Sequence, residues 1–190
     1  PYPREKNRFI HAIEVRRGPQ AQTAMIGVTL VDPSERTISC ALMSAEGMAF
    51  FEGVSGPDGL SVSRALPPFD SGELARNMMS DIALLFLAPG EVPGAKGVLA
   101  GGQEVCRYKE QDGWIDVIAG PDGVIRIRRY SKGGGLKRSV TLSGGVISPY
   151  SAIELQASEM FNYTLVMTLI ESEKVQSSSR QNDESKGSRP

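Results

Sequence analysis

Histidine and tryptophan occur once each in these 190 residues, cysteine twice, and aromatic residues make up only 6%. Two cysteines and one histidine are too few for the usual four-ligand zinc site, so none is expected. Neither sign of charge prevails: 21 Lys and Arg stand against 22 Asp and Glu, for a net charge of -1. The basic excess that marks a nucleic-acid binder is therefore missing. No apolar run reaches the ~18 residues of a membrane-spanning helix. There is no secretory signal, but the chain opens Pro1-Tyr2-Pro3 without a methionine. That absence therefore says nothing about the compartment. What is present is a 40% hydrophobic chain of a length that suits one domain with a sizeable core.

Catalytic arrangements are equally scarce. His11 has no catalytic spacing around it and is expected to be an ordinary strand residue. Asp116 and Glu104 are isolated carboxylates, and no nucleophile elbow is present. Gly133-Gly134-Gly135 lacks the Lys-Ser/Thr that follows in a phosphate-binding loop and reads as a flexible hairpin. The expectation is a non-enzymatic protein without cofactor or metal. Cys40 and Cys106 each lie in a strand-like run. Two readings stay open for them: small core residues, or a disulfide if the chain is exported.

The strongest helix signal covers residues 70–88, DSGELARNMMSDIALLFLA. Leu74, Met78, Ile82 and Leu85 recur at helical spacing, Asp70 or Ser71 can cap the start, and Pro89-Gly90 stops it. Its far end, 82–87, is apolar nearly all round and should be buried on more than one side. The rest reads as about ten short strands. Five precede the helix, at 9–15, 23–31, 37–44, 48–54 and 60–66. Five follow it, at 97–108, 114–119, 124–130, 136–142 and a long last segment firmest over 163–170. Turns as tight as Pro57-Asp58-Gly59 and Pro121-Asp122-Gly123 demand antiparallel neighbours. A sheet of that size should coil strongly or close partly into a barrel. The fold expected is mainly β with a central helix: a strongly curved antiparallel half-barrel with the helix of residues 70–88 on its concave face. Residues 1–7 are an extended lead-in, 8–172 the domain, and 173–190 a polar tail expected to be disordered.

Two further patterns bear on function. Arg126, Arg128, Arg129, Lys132, Lys137 and Arg138 form a basic run. It reads either as a solvated sheet face or as a contact for anionic head groups or an acidic partner, with Arg126, Arg128 and Arg138 the residues concerned. Tyr130 is the only aromatic there, too little to stack bases. Met78 and Met79 are either core filler or an adaptable wall for a variable apolar ligand.

Four stretches carry a family resemblance: the strand through Phe50-Phe51, the helix MMSDIALLFLAP, the run VIRIRRYSKGGGLKRSVTLSG and the closing NYTLVMTLIES. Over roughly residues 8–172 their order resembles the LolA/LolB superfamily of periplasmic lipoprotein carriers and outer-membrane lipoprotein receptors, most of all its LolB-like lipoproteins. The chain departs from that pattern in having one good helix and no obvious exposed apolar hook loop. The resemblance implies a half-barrel whose cavity holds acyl chains. It also implies location in the bacterial periplasm or on the inner leaflet of the outer membrane, and an export signal, with a lipidated cysteine for membrane attachment, ahead of Pro1. On this reading the ligand-binding residues are Phe50, Leu74, Met78, Ile82, Leu85 and Trp114, which exclude water around an apolar guest. The partners are a lipid or lipoprotein acyl chain and other envelope proteins. The other reading is a structural or interaction module of an envelope complex with a closed core.

Overall fold

The computed structural model describes residues 1–17, 20–90, 92–144, 149–158 and 162–175. Among these described residues twelve strands form one sheet. Before the helix come β1 (Asn7–Arg17), β2 (Gln20–Asp32), β3 (Thr37–Met43), β4 (Ala49–Gly56) and β5 (Gly59–Ala65). The helix is α1 (Gly72–Phe86). After it come β6 (Ala95–Val98), β7 (Glu104–Glu110), β8 (Gly113–Ala119), β9 (Ile125–Ser131), β10 (Leu136–Leu142), β11 (Ala152–Ala157) and β12 (Tyr163–Lys174). Two strands exceed the expected ten. The weak run at 97–108 is a hairpin, β6 and β7, turning at the glycines inside it, and β11 precedes the firm part of the last segment. Glycines in the two Pro-Asp-Gly turns take positive φ, +104° at Gly59 and +75° at Gly123, the region an L side chain avoids.

All pairings are antiparallel, in the order β5-β4-β3-β2-β1-β12-β11-β10-β9-β8-β7-β6. Each half of the chain is a meander. The halves meet where β1 pairs β12, from Asn7 opposite Lys174 to Arg16 opposite Thr164. β5 and β6 are therefore the two edges, and α1 connects one edge to the other. Laid flat, twelve strands would span roughly 50–60 Å, while a helix of 15 residues is about 22 Å long. Yet Phe51 on β4, Phe9 on β1, Ile127 on β9 and Met79 on α1 share one buried cluster. The sheet must curl around the helix for that to happen, as the half-barrel expectation requires.

Strand alternation sets the inner face as anticipated. Ile38, Cys40 and Leu42 of β3 are buried in alternation, and Tyr163, Leu165, Met167 and Leu169 of β12 all join the core. Ser71 caps α1, its hydroxyl accepting from the Leu74 amide. The helix lies about one residue off the expected orientation. Ala75, Met79, Leu84, Leu85 and Phe86 are buried, while Leu74, Met78 and Ile82 are only half-buried. Cys40 is buried and Cys106 half-buried, and both are free thiols. Burial pushes the Cys40 thiol up to about 12, against a bond from Thr29, so it is inert at neutral pH. At the C-terminal end β12 runs to Lys174, and Val175 donates to the Lys6 carbonyl, so order extends past the expected boundary at 172. The rest of the expected tail, 176–190, lies outside the described residues.

Candidate functional site: the helix-covered face and its open groove

Beneath α1 the concave face is packed with side chains. Phe86 stacks on Phe9 and Tyr150, with ring centroids 4.9 and 5.1 Å away. His11 is fully buried beside them, its Nε2 3.1 Å from the Tyr150 carbonyl oxygen. A carbonyl only accepts, so Nε2 carries the proton and Nδ1 the lone pair. Nδ1 is buried without a partner among the described residues. Burial holds the imidazole below its ordinary pKa of 6.5, and the Tyr150 bond only partly offsets this.

About one turn and a half before Phe86, the same half of the helix carries charge into the interior. Asp81 is 3% exposed, and its Oδ1 accepts from Arg138 Nε at 2.7 Å. Its Oδ2 accepts from the Tyr163 hydroxyl. Beside it Arg129 donates to Ser80 Oγ at 2.8 Å and to Glu110 at 2.9 Å. Burial pushes the Asp81 carboxyl above its ordinary range, while Arg138, Tyr163 and Arg129 pull the other way. The helix is thus latched to β9, β10 and β12 by directional bonds as well as by packing.

Open space remains at the end of the sheet where β1 and β9 begin. A groove of about 610 Å³ is walled there by Phe9, Ile125, Tyr150 and the lead-in Pro1-Tyr2-Pro3. Tyr2 packs against the core cluster, and its hydroxyl is buried without a partner among the described residues. Burial pushes that phenol far above its ordinary range. The Pro1 carbonyl accepts from the Tyr150 hydroxyl at 2.8 Å. So the lead-in lines the groove.

None of the six residues expected to bind ligand lies on the groove wall. Leu85 is buried in the core, and Met78 and Ile82 pack against it half-buried. Leu74 sits half-buried in the first turn of α1. Phe50 and Trp114 are turned away from the helix, because Phe51 and Ile115, their strand neighbours, take the inward positions. Of the three arginines, Arg126 and Arg128 alternate with the buried Ile127 and so face outward, Arg126 3.8 Å from Asp122. Arg138 is 6% exposed and points inward to Asp81, which removes it from any outer head-group contact.

The fold is shared with a solved structure, the LolA superfamily protein NE2245 from Nitrosomonas europaea. The superposition has a TM-score of 0.52 and 13% sequence identity, and it covers 93% of this chain and 88% of that one. No family model matches the sequence, and no curated protein matches it.

Proposed function

We infer that this chain is a non-enzymatic protein of the bacterial cell envelope that binds or carries a lipid or lipoprotein acyl chain. The observation that carries this reading is the groove of about 610 Å³ at the open end of the half-barrel, where the core residues Phe9 and Tyr150 line one part of the wall and Arg4, Asn7 and Ser172 another. Pockets of about 300–1,000 Å³ suit single small ligands. The fold shared with a LolA superfamily protein supports a carrier role. The guest enters beside Phe9, Ile125 and Tyr150. Tyr2 holds its place when no guest is present, at the cost of a buried hydroxyl left unpaired, about 1–3 kcal/mol. Met78 and Ile82 lie off the groove wall, and on this reading they are reached only by a guest that passes Tyr2 into the half-buried layer under α1. The periplasm or the inner face of the outer membrane is the compartment this function needs. Among the described residues, no helix is long and apolar enough to cross a membrane.

The packed interior under α1 favours a second reading, a structural or interaction module of the envelope with a closed core. Native mass spectrometry of gently purified protein, together with titration of a fluorescent fatty acid, separates the two. The carrier reading expects co-purifying lipid, and it expects Tyr2→Ala to bind the probe more tightly than the parent. No lipid and no probe uptake by either protein would leave the closed module.

A further inference from the structure

A second open pocket, of about 470 Å³, lies on the opposite face of the sheet from the helix, near the edge strand β6. β8 turns Ile115 and Val117 into the core, so Trp114 and Asp116 project outward. Register places Trp114 between Lys109 on β7 and Tyr130 on β9, and Asp116 beside Arg107. Asp116 fixes the Arg107 guanidinium with two bonds of 2.7 Å. That guanidinium lies 4.9 Å over the Trp114 ring. Trp114 stacks in turn on Tyr130, with centroids 5.3 Å apart and planes at 21°. The stack is therefore pre-organised by a bidentate ion pair and two ring contacts.

Packing alone leaves one feature of this pocket unaccounted for. Lys109 and Lys132 both line the pocket, both are exposed, and neither has an ion-pair partner among the described residues. The carboxylates nearby are already engaged, Asp116 by Arg107 and Glu110 by Arg129. The pocket gathers positive charge around one space; Glu110 also lines it but is paired with Arg129, so among the described residues it offers no free carboxylate. A tetrahedral oxyanion can meet both ammonium groups together with Arg107 Nη1, which Asp116 leaves unengaged on a half-exposed side chain. A carboxylate's lone pairs lie close to one plane, which suits donors converging from several directions less well. We propose that this outer pocket binds a phosphate group, either as free inorganic phosphate or as the head group of an anionic lipid. It shares no wall with the groove, so either site can exist without the other.

Trp114 is the sole tryptophan of the chain, which makes its fluorescence a direct reporter of the pocket. The experiment titrates the full chain with inorganic phosphate, with sodium chloride at matched ionic strength as control. Parallel titrations use vesicles of phosphatidylglycerol and of phosphatidylcholine. A saturable change with phosphate assigns the site to the free anion. A change with phosphatidylglycerol but with neither phosphate nor phosphatidylcholine assigns it to the head group. In both cases the doubly substituted Lys109→Ala, Lys132→Ala protein should bind about tenfold more weakly or worse, the effect of losing charge-assisted bonds. Lys132→Glu, in a surface turn, provides the same test if the double variant does not fold. No response to phosphate or to phosphatidylglycerol, a response that chloride reproduces, or unchanged affinity in the variants would overturn the proposal. Binding of the fatty-acid probe to the groove is read separately and bears only on the carrier function.

Discussion

At the scale of single residues, the buried charges are the most exposed to test. Asp81 and Arg138 are almost fully buried and bonded to each other, so removing the carboxylate leaves the guanidinium buried without that opposite charge beside it. Asp81→Ala should lower unfolding free energy by about 3–5 kcal/mol in denaturant. Asp81→Leu combined with Arg138→Met should recover most of that loss, because an apolar pair buries no charge at all. A double as unstable as the single would mean that Tyr163 and the packing, not the ion pair, dominate. This pair was partly legible. Arg138 shares strand parity with Val140 and Leu142, and Arg129 shares it with Ile125 and Ile127. An arginine on the apolar parity of an amphipathic strand must find a buried partner, and Asp81 is the lone acid in the apolar half of the helix. What hid the pairing is that helix and strand positions 57 residues apart carry no local sign of contact. His11 has its own consequence. Its folded pKa lies below its unfolded value, so the unfolded chain takes up the proton first as pH falls. The stability it contributes is complete above about pH 6.5 and declines below that, by up to about 1.4 kcal/mol per pH unit. Unfolding measured at pH 7.5, 6.5 and 5.5 should show a smaller decline for His11→Gln than for the parent. Parallel curves would place the acid sensitivity elsewhere.

At the scale of elements, the helix decides between packing and binding. Met79 is 2% exposed and Met78 is half-buried beside it. Met79→Ala should cost about 2–5 kcal/mol in lost contacts and void. Met78→Ala should cost less and should change the affinity for a fluorescent fatty acid. Equal and large losses for both, without any probe binding, would favour the closed module. The helix was visible from its apolar spacing, its cap and its proline stop, and its boundaries fall within two residues of those read from sequence. Its rotation was not visible. A residue such as Ala75 or Leu74 scores as apolar either way. Which faces inward was settled by the Asp81 latch and by Phe86 seating on Phe9 and Tyr150. The groove was missed for a related reason. Its walls come from the lead-in, β1, the β8–β9 turn and Tyr150, segments brought together only by the sheet's long-range order.

At the scale of the whole molecule, tight turns and period-two alternation made an antiparallel sheet of about this size legible. They did not reveal that the first and last strands lie side by side at its middle. That seam sets a schedule for biosynthesis. β1 leaves the ribosome first, and β12 follows about 146 residues after β1 ends, roughly 7–30 s at ordinary elongation rates. Throughout that interval β2 covers one side of β1, while the other side offers a row of unpaired amides and carbonyls at what will be the centre of the sheet. A nascent chain truncated after residue 90 should therefore be sticky where the finished protein has no edge at all. Expressed alone, it should sediment as aggregate, and a synthetic peptide covering β12 added during refolding should reduce that aggregation by occupying the vacant side. The order of the strands thus makes the centre of the sheet the last part to be sealed and the part most in need of protection while the chain is made.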